Sequence, residues 1–132
     1  MSKIHPAPTI DRGTARISQQ EVDDLLCAAF EGGITYWCSR AETVGDWPEG
    51  AEYLSDTLSR GATILLTDAE SAFDSEDEQP EVRTLTLSNF KRAVVIVAEK
   101  YGQTVADFVE DHDADSADCV VQVAVFGEVV YG

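Results

Sequence analysis

The residues best equipped for chemistry in this chain are carboxylates. The string DHDADSAD, residues 111–118, sets Asp111, Asp113 and Asp115 at alternating positions, with His112 among them and Asp118 close behind. Alternating acids are how a calcium loop of the EF-hand kind begins, but that loop also needs a central glycine and a closing glutamate. Here the turn position has no glycine, and the twelfth position is Gln122. The pattern fits a helix cap and an acidic surface better than an ion site. A two-metal centre would need carboxylates brought together on a rigid support. Asp68 and Glu70 are the other acids that could meet this cluster in space. His112 lies among charges that favour its protonated form, which suits a solvated acidic face rather than a general base. His5 sits in the N-terminal stretch. The sequence carries no phosphate-binding glycine loop and no nucleophile elbow. No catalytic residue, metal or cofactor is assigned.

Charge is the strongest compositional signal. The 132 residues hold 25 Asp and Glu against 9 Lys and Arg, a net charge of −16, with a hydrophobic fraction of 44%. An apolar content that high belongs to a folded domain and not to an acidic disordered chain. The first 66 residues have ten acids and five bases; the remainder have fifteen acids and four bases. Such a field repels nucleic acid and anionic membrane and attracts basic surfaces. It is read either as mimicry of nucleic-acid charge or as an adaptation for solubility or high salt. No run is long and apolar enough to span a bilayer, so a soluble protein of the cytosol is expected. Cys27, Cys38 and Cys119 lack the close spacing of a zinc or redox motif. Cys27 and Cys119 are expected reduced, mostly buried and without metal.

The elements that must position these groups follow from periodicity. Residues 1–17 read as a flexible leader and 18–132 as one α+β domain. Ser18 and Glu21 form a capping box. Val22, Leu25, Leu26, Ala29 and Phe30 then mark one face of a helix over 18–30, with Asp23 and Asp24 off that face. Gly32 and Gly33 stop it, one of them left-handed. Ile34–Cys38 is aromatic and β-branched, which predicts a strand reaching residue 40. A loop at 43–50 carries Trp47, as a lid on the core or a partner contact. A short helix over 51–60 turns Tyr53, Leu54, Thr57 and Leu58 to one side. Residues 62–67 and 82–87 alternate as an antiparallel hairpin, its long tip being the acidic stretch 68–81. The 34–40 strand is a candidate third member of a small antiparallel sheet. Ser88 caps a helix over 88–101 at the centre of the core, although Val94–Val97 also suit a strand. A short helical segment at 103–110 and a helix over 113–126 follow, and Glu128–Tyr131 could add an edge strand.

Four stretches, EGGITYWCSRAE (31–42), LSRGATILLTDAE (58–70), LTLSNFKRA (85–93) and DADSADCVVQVAVFGEVVYG (113–132), together resemble small uncharacterised proteins encoded by phages and prophages of Gram-positive bacteria. That resemblance implies no enzymatic activity. It implies action in the host cytoplasm on a host protein, as with inhibitors of nucleic-acid-targeting defence systems. The expected function is therefore a non-enzymatic acidic protein that binds a basic surface of a host protein, with no direct nucleic-acid or membrane contact. Candidate partner-binding residues are Asp74, Glu76, Asp77 and Glu78 at the hairpin tip, Asp111, Asp113, Asp115 and Asp118 near the C-terminus, and the aromatics Trp37 and Trp47. The alternatives are a divalent-metal protein or metal-dependent enzyme built on the acidic clusters, and a structural phage protein whose acidity serves only solubility or salt tolerance.

Overall fold

The computed structural model describes residues 3–74 and 79–132, the side chains of residues 72–74 excepted. It is an α+β fold in which a four-stranded sheet packs against helices. Helix α1, Gln19–Ala28, starts where the box predicts. The Glu21 N–H donates to Ser18 Oγ, and Glu21 Oε1 accepts from the Ser18 N–H at 2.8 Å. Val22, Leu25, Leu26 and Ala29 are buried as one face. Asp23 is buried as well, contrary to the expectation for it. It accepts hydrogen bonds from Ser59 Oγ and Arg60 Nη1, tying α1 to a 3₁₀ turn at Leu58–Arg60. The predicted 51–60 helix is two such turns, Leu54–Asp56 and Leu58–Arg60, closed by Gly61 in a left-handed conformation. Thr57 and Leu58 point inward, but Tyr53 is exposed.

The exit from α1 differs from the sequence reading. The helix widens into a π turn, Ala29–Gly33, with the Ile34 N–H donating to the Ala29 carbonyl at 2.9 Å. Neither Gly32 nor Gly33 is left-handed. Gly33 is small for another reason: a Cβ there would lie 2.6 Å from the Ala114 carbonyl oxygen. The glycine lets two backbones touch. Residues 34–37 then turn instead of extending, and strand β2 runs Cys38–Thr43. Burial of the Trp37 ring, about 3–5 kcal/mol when such a side chain is removed, outweighs the local strand propensity of this stretch.

Strand β3 is Ile64–Asp68 and β4 is Glu81–Leu85. They pair antiparallel from Ile64 opposite Leu85 to Asp68 opposite Glu81, so the expected hairpin stands. Strand β2 pairs antiparallel with β3. The sheet is mixed, however, because β1, Ile4–His5, pairs parallel with β4, giving the order β1-β4-β3-β2. Two residues of the expected leader thus add one parallel strand to the antiparallel sheet. Residues beyond β1 follow α2, Leu87–Lys100: Asn89 Nδ2 donates to the Pro8 carbonyl at 2.8 Å, the Ala15 N–H donates to Lys91, and Arg12 pairs with Glu99. A two-residue strand leaves no periodicity to read.

Thr86, not Ser88, caps α2, and its β-branched run stays helical with Phe90, Ala93, Val94 and Val97 buried. Helix α3 is Val105–Asp111 and α4 is Ala114–Phe126. The centre of the core is α4 rather than α2. It packs on α2, β4, α1 and the π turn, and Ser116–Asp118 and Val120–Val125 are all buried. Left-handed Gly127 ends it, and residues 128–132 are a non-strand tail. Replacing Gly33→Ala forces β-carbon against backbone, which no side-chain rotation relieves. The expected loss is about 2–3 kcal/mol in urea denaturation, with an unchanged midpoint for Gly13→Ala, where a Cβ meets nothing.

Candidate functional site

A helix buried all round must satisfy its polar side chains internally. In α4 these are Ser116, whose hydroxyl donates to the Asp113 carbonyl, Asp118, 6% exposed, and Gln122, fully buried. Asp118 Oδ1 accepts from Trp37 Nε1 at 2.8 Å and from Gln122 Nε2 at 2.9 Å, and Oδ2 accepts from the Tyr36 hydroxyl at 2.6 Å. Gln122 Oε1 accepts the N–H groups of Val130 and Tyr131, each at 2.8 Å, which folds the tail back over α4. Tyr131 stacks on Trp37 with ring centroids 5.9 Å apart and donates its hydroxyl to Asp68 Oδ2 at 2.8 Å. Asp68, 1% exposed, also receives the Ser71 N–H. Two buried carboxylates thus belong to one network. Burial, then the hydrogen bond and charge of Asp118, push the Tyr36 phenol up to about 12. Burial and Asp68 push Tyr131 up as well.

This network removes two expected partner contacts. Trp37 is 0% exposed and Asp118 is an internal acceptor, so neither forms surface. The sequence signal for both was in α4 itself: CVVQVAVF, residues 119–126, is apolar all round apart from Gln122, so its polar neighbours need internal partners. Trp47, the other candidate aromatic, is 48% exposed, in a loop that also exposes Val44 and Tyr53.

Beside the network lies a cleft of about 350 Å³, lined by Asp68, Ser71, Glu81, Arg83 and Tyr131. Its carboxylates already have partners within the chain, Asp68 through neutral donors and Glu81 through Arg83. Glu81 Oε2 meets Arg83 Nη2 at 3.0 Å and His5 Nε2 at 3.3 Å, while the Arg83 guanidinium lies 4.9 Å from the centre of the Phe126 ring. Ser71 Oγ is occupied between the Asp68 carbonyl and the Glu81 N–H.

The exposed acids gather where α3 meets α4. Asp107, Glu110, Asp111, Asp113 and Asp115 are exposed, and residues 101–132 contain no Lys or Arg. Asp113 is the α4 N-cap; the Ser116 N–H donates to its Oδ1 at 2.8 Å and is the main cause of its lowered carboxyl pKa. Asp111 accepts from Gln103 Nε2. His112 Nδ1 sits 2.6 Å from the Val109 carbonyl oxygen, closing the end of α3. No group of three His, Cys, Asp or Glu side chains among the described residues converges as an ion site. Of the hairpin-tip candidates, Asp74 ends a 3₁₀ turn at Ala69–Asp74, and its side chain lies outside the described residues, as do Glu76, Asp77 and Glu78 altogether. The three cysteines are free and half-buried. No helix among the described residues is long and apolar enough to cross a membrane.

No protein-family model matches this chain, and no solved structure matches it. It is similar to two glutamine-hydrolyzing GMP synthases from strains W83 and ATCC 33277 of Porphyromonas gingivalis, at 27% and 26% identity over 112 residues, 82% of this chain. The chain spans 22% of the length of these curated relatives.

Two outcomes test the network. Asp118→Ala leaves the indole N–H and the Tyr36 hydroxyl without their acceptor; a loss of about 3 kcal/mol is expected in denaturant unfolding. Stability should also fall as pH rises above 10. A phenol whose folded pKa is raised contributes stability that is complete below its unfolded value of 10 and is lost as pH climbs toward 12. Tyr36→Phe should make that alkaline slope shallower in thermal melts taken from pH 9 to 12, the remainder coming from Tyr131 and Tyr101, which burial also raises.

Proposed function

We propose that this protein is a non-enzymatic acidic binding protein that engages a basic surface of a host protein, presenting carboxylates as a nucleic acid presents phosphates. The observation that carries the reading is the α3–α4 junction, where five exposed carboxylates gather without converging on one point and the last 32 residues hold no Lys or Arg. Spread charge gives long-range attraction without forming a tight ion site. The binding face so defined keeps Asp111, Asp113 and Asp115, adds Asp107 and Glu110, and drops Asp118. The acids at Asp74, Glu76, Asp77 and Glu78 add charge on sequence grounds. Inhibition of a nucleic-acid-targeting defence system remains the setting that the resemblance to phage proteins implies.

A second reading, an enzyme, draws on the similarity to the GMP synthases. Amide hydrolysis by a cysteine needs a thiolate beside a base. Here burial pushes the Cys38 thiol up to about 11, and burial with Glu31 raises Cys27. His5 lies against Glu81 and His112 against a backbone carbonyl. These environments favour the binding reading.

The test replaces Asp107, Glu110, Asp111 and Asp115 together by Lys, sparing the Asp113 cap. Affinity capture from host lysate should yield a basic protein with the natural chain and none with the variant, their melting curves being alike. Association with the captured protein should slow by at least about tenfold between low and high salt. Equal capture by both chains overturns the reading, and release of ammonia from glutamine by the purified protein would put the enzyme first.

A further inference from the structure

Among the described residues, strand β2 lies at one end of the sheet and pairs with β3 and no other strand. Its outer edge therefore offers a row of backbone N–H and C=O groups. Exposed edges are commonly blunted by Lys, Pro, bulges or a covering element. This one has a register shift between Cys38 and Arg40, but no Lys, no Pro, and no extensive contact with any element beyond β3 and the 3₁₀ turn after it. The charge of Arg40 is matched by Glu42 at 3.0 Å.

One cavity adjoins this edge and a second lies beside the first. One, of about 270 Å³, runs from Ile34 and Phe30 past Cys38 and Ala41 to Leu54. The other, of about 400 Å³, is lined by Cys27, Phe30, Tyr53 and Leu54, with Glu31 among them. Phe30 and Leu54 belong to both, so the two form one groove. Tyr53, 68% exposed, is its outer wall. Glu31 lines it, and the Cys27 thiol is raised by burial first, then by its hydrogen bond with Glu31, then by the charges of Glu31, Asp24 and Asp56.

We propose that the β2 edge and this groove bind an extended segment of a partner protein, which adds a strand to β2, sets an apolar side chain between Phe30 and Leu54, and places Lys or Arg against Glu31, Asp24 and Asp56. Edge addition supplies main-chain hydrogen bonds, and the neighbouring pocket supplies selectivity. A basic segment is the occupant because the groove is apolar inside and anionic around Cys27. A second copy of this chain is disfavoured by the same charges, since it would set −16 against −16. This surface shares no residue with the α3–α4 face, although the π turn behind it packs on Ala114.

The probe is a fluorescein-labelled ten-residue peptide of alternating leucine and lysine, titrated into the full chain and followed by anisotropy and amide chemical shifts. Saturable binding is expected, with shifts at Ser39–Thr43. Methylating alternate backbone nitrogens of the peptide keeps its charge and removes edge hydrogen bonds; at least about tenfold weaker binding is expected in one of the two methylation registers. Glu31→Lys and Tyr53→Ser, both at exposed positions, should each weaken binding several-fold without altering the melt. The Asp107, Glu110, Asp111 and Asp115 to Lys variant should still give the Ser39–Thr43 shifts. Binding indifferent to both methylation registers, shifts confined to Asp107–Asp115, no saturation by about 1 mM, or a β2-paired dimer of this chain in place of the complex would each overturn the proposal.

Discussion

The structure depends on one buried acceptor, the carboxylate of Asp118. Helix α4 is enclosed by α2, the sheet and the π turn, so it can carry a charge inside only if that charge is fully hydrogen-bonded. Tyr36, Trp37 and Gln122 provide those bonds, and between them they fix two distant parts of the chain. Trp37 fixes the turn between α1 and β2. Gln122 fixes the tail, whose Tyr131 then reaches Asp68 at the end of β3. Gly33 belongs to the same arrangement, because the π turn must approach the Ala114 carbonyl before Tyr36 and Trp37 can reach Asp118. Polar networks of this kind gain from a low local dielectric when complete and lose heavily when one member is missing.

The interior also sorts the acids by role. Asp23, Asp68 and Asp118 are buried and each is tied to donors from another part of the chain. They hold elements together and contribute little to what a partner meets. The remaining described acids are exposed or half-buried, so their repulsion is borne in water, where it is weakest. Acidity at this level destabilises the compact state, and the chain limits the effect by keeping its buried carboxylates hydrogen-bonded and its exposed ones spread.

Local patterns carried the elements that were legible in the sequence. The Ser18–Glu21 box, the α1 and α2 stripes, the alternation within each hairpin strand and the Asp113 helix start each depend on residues a few positions apart. What was missed depends on distant ones. Trp37 is drawn out of a strand by an aspartate 81 positions later. Strand β1 exists only because β4 lies beside it. Asp118 looks like its exposed neighbours in sequence and differs only in lying next to the Val121 and Gln122 side of an enclosed helix. For the candidate site, the acids of the α3–α4 junction were legible as surface because they cluster at a cap. The β2 edge was not, since strand order is a property of the assembled sheet.

If both proposed surfaces bind a partner, they divide recognition into a long-range and a short-range part. Carboxylates spread over α3–α4 act across about a Debye length, roughly 8–10 Å at physiological salt, and draw in any cation of suitable size. That attraction raises encounter rates but discriminates weakly among basic proteins. Discrimination needs contacts that fail when shape or register is wrong. A sheet edge with an apolar groove has that property, because a peptide shifted by one residue turns its anchor side chain to the opposite face. Basic proteins that cannot extend a segment along β2 would then be attracted yet not retained. On this view the acidity sets how quickly a partner arrives, and the Phe30–Leu54 groove sets which partner stays.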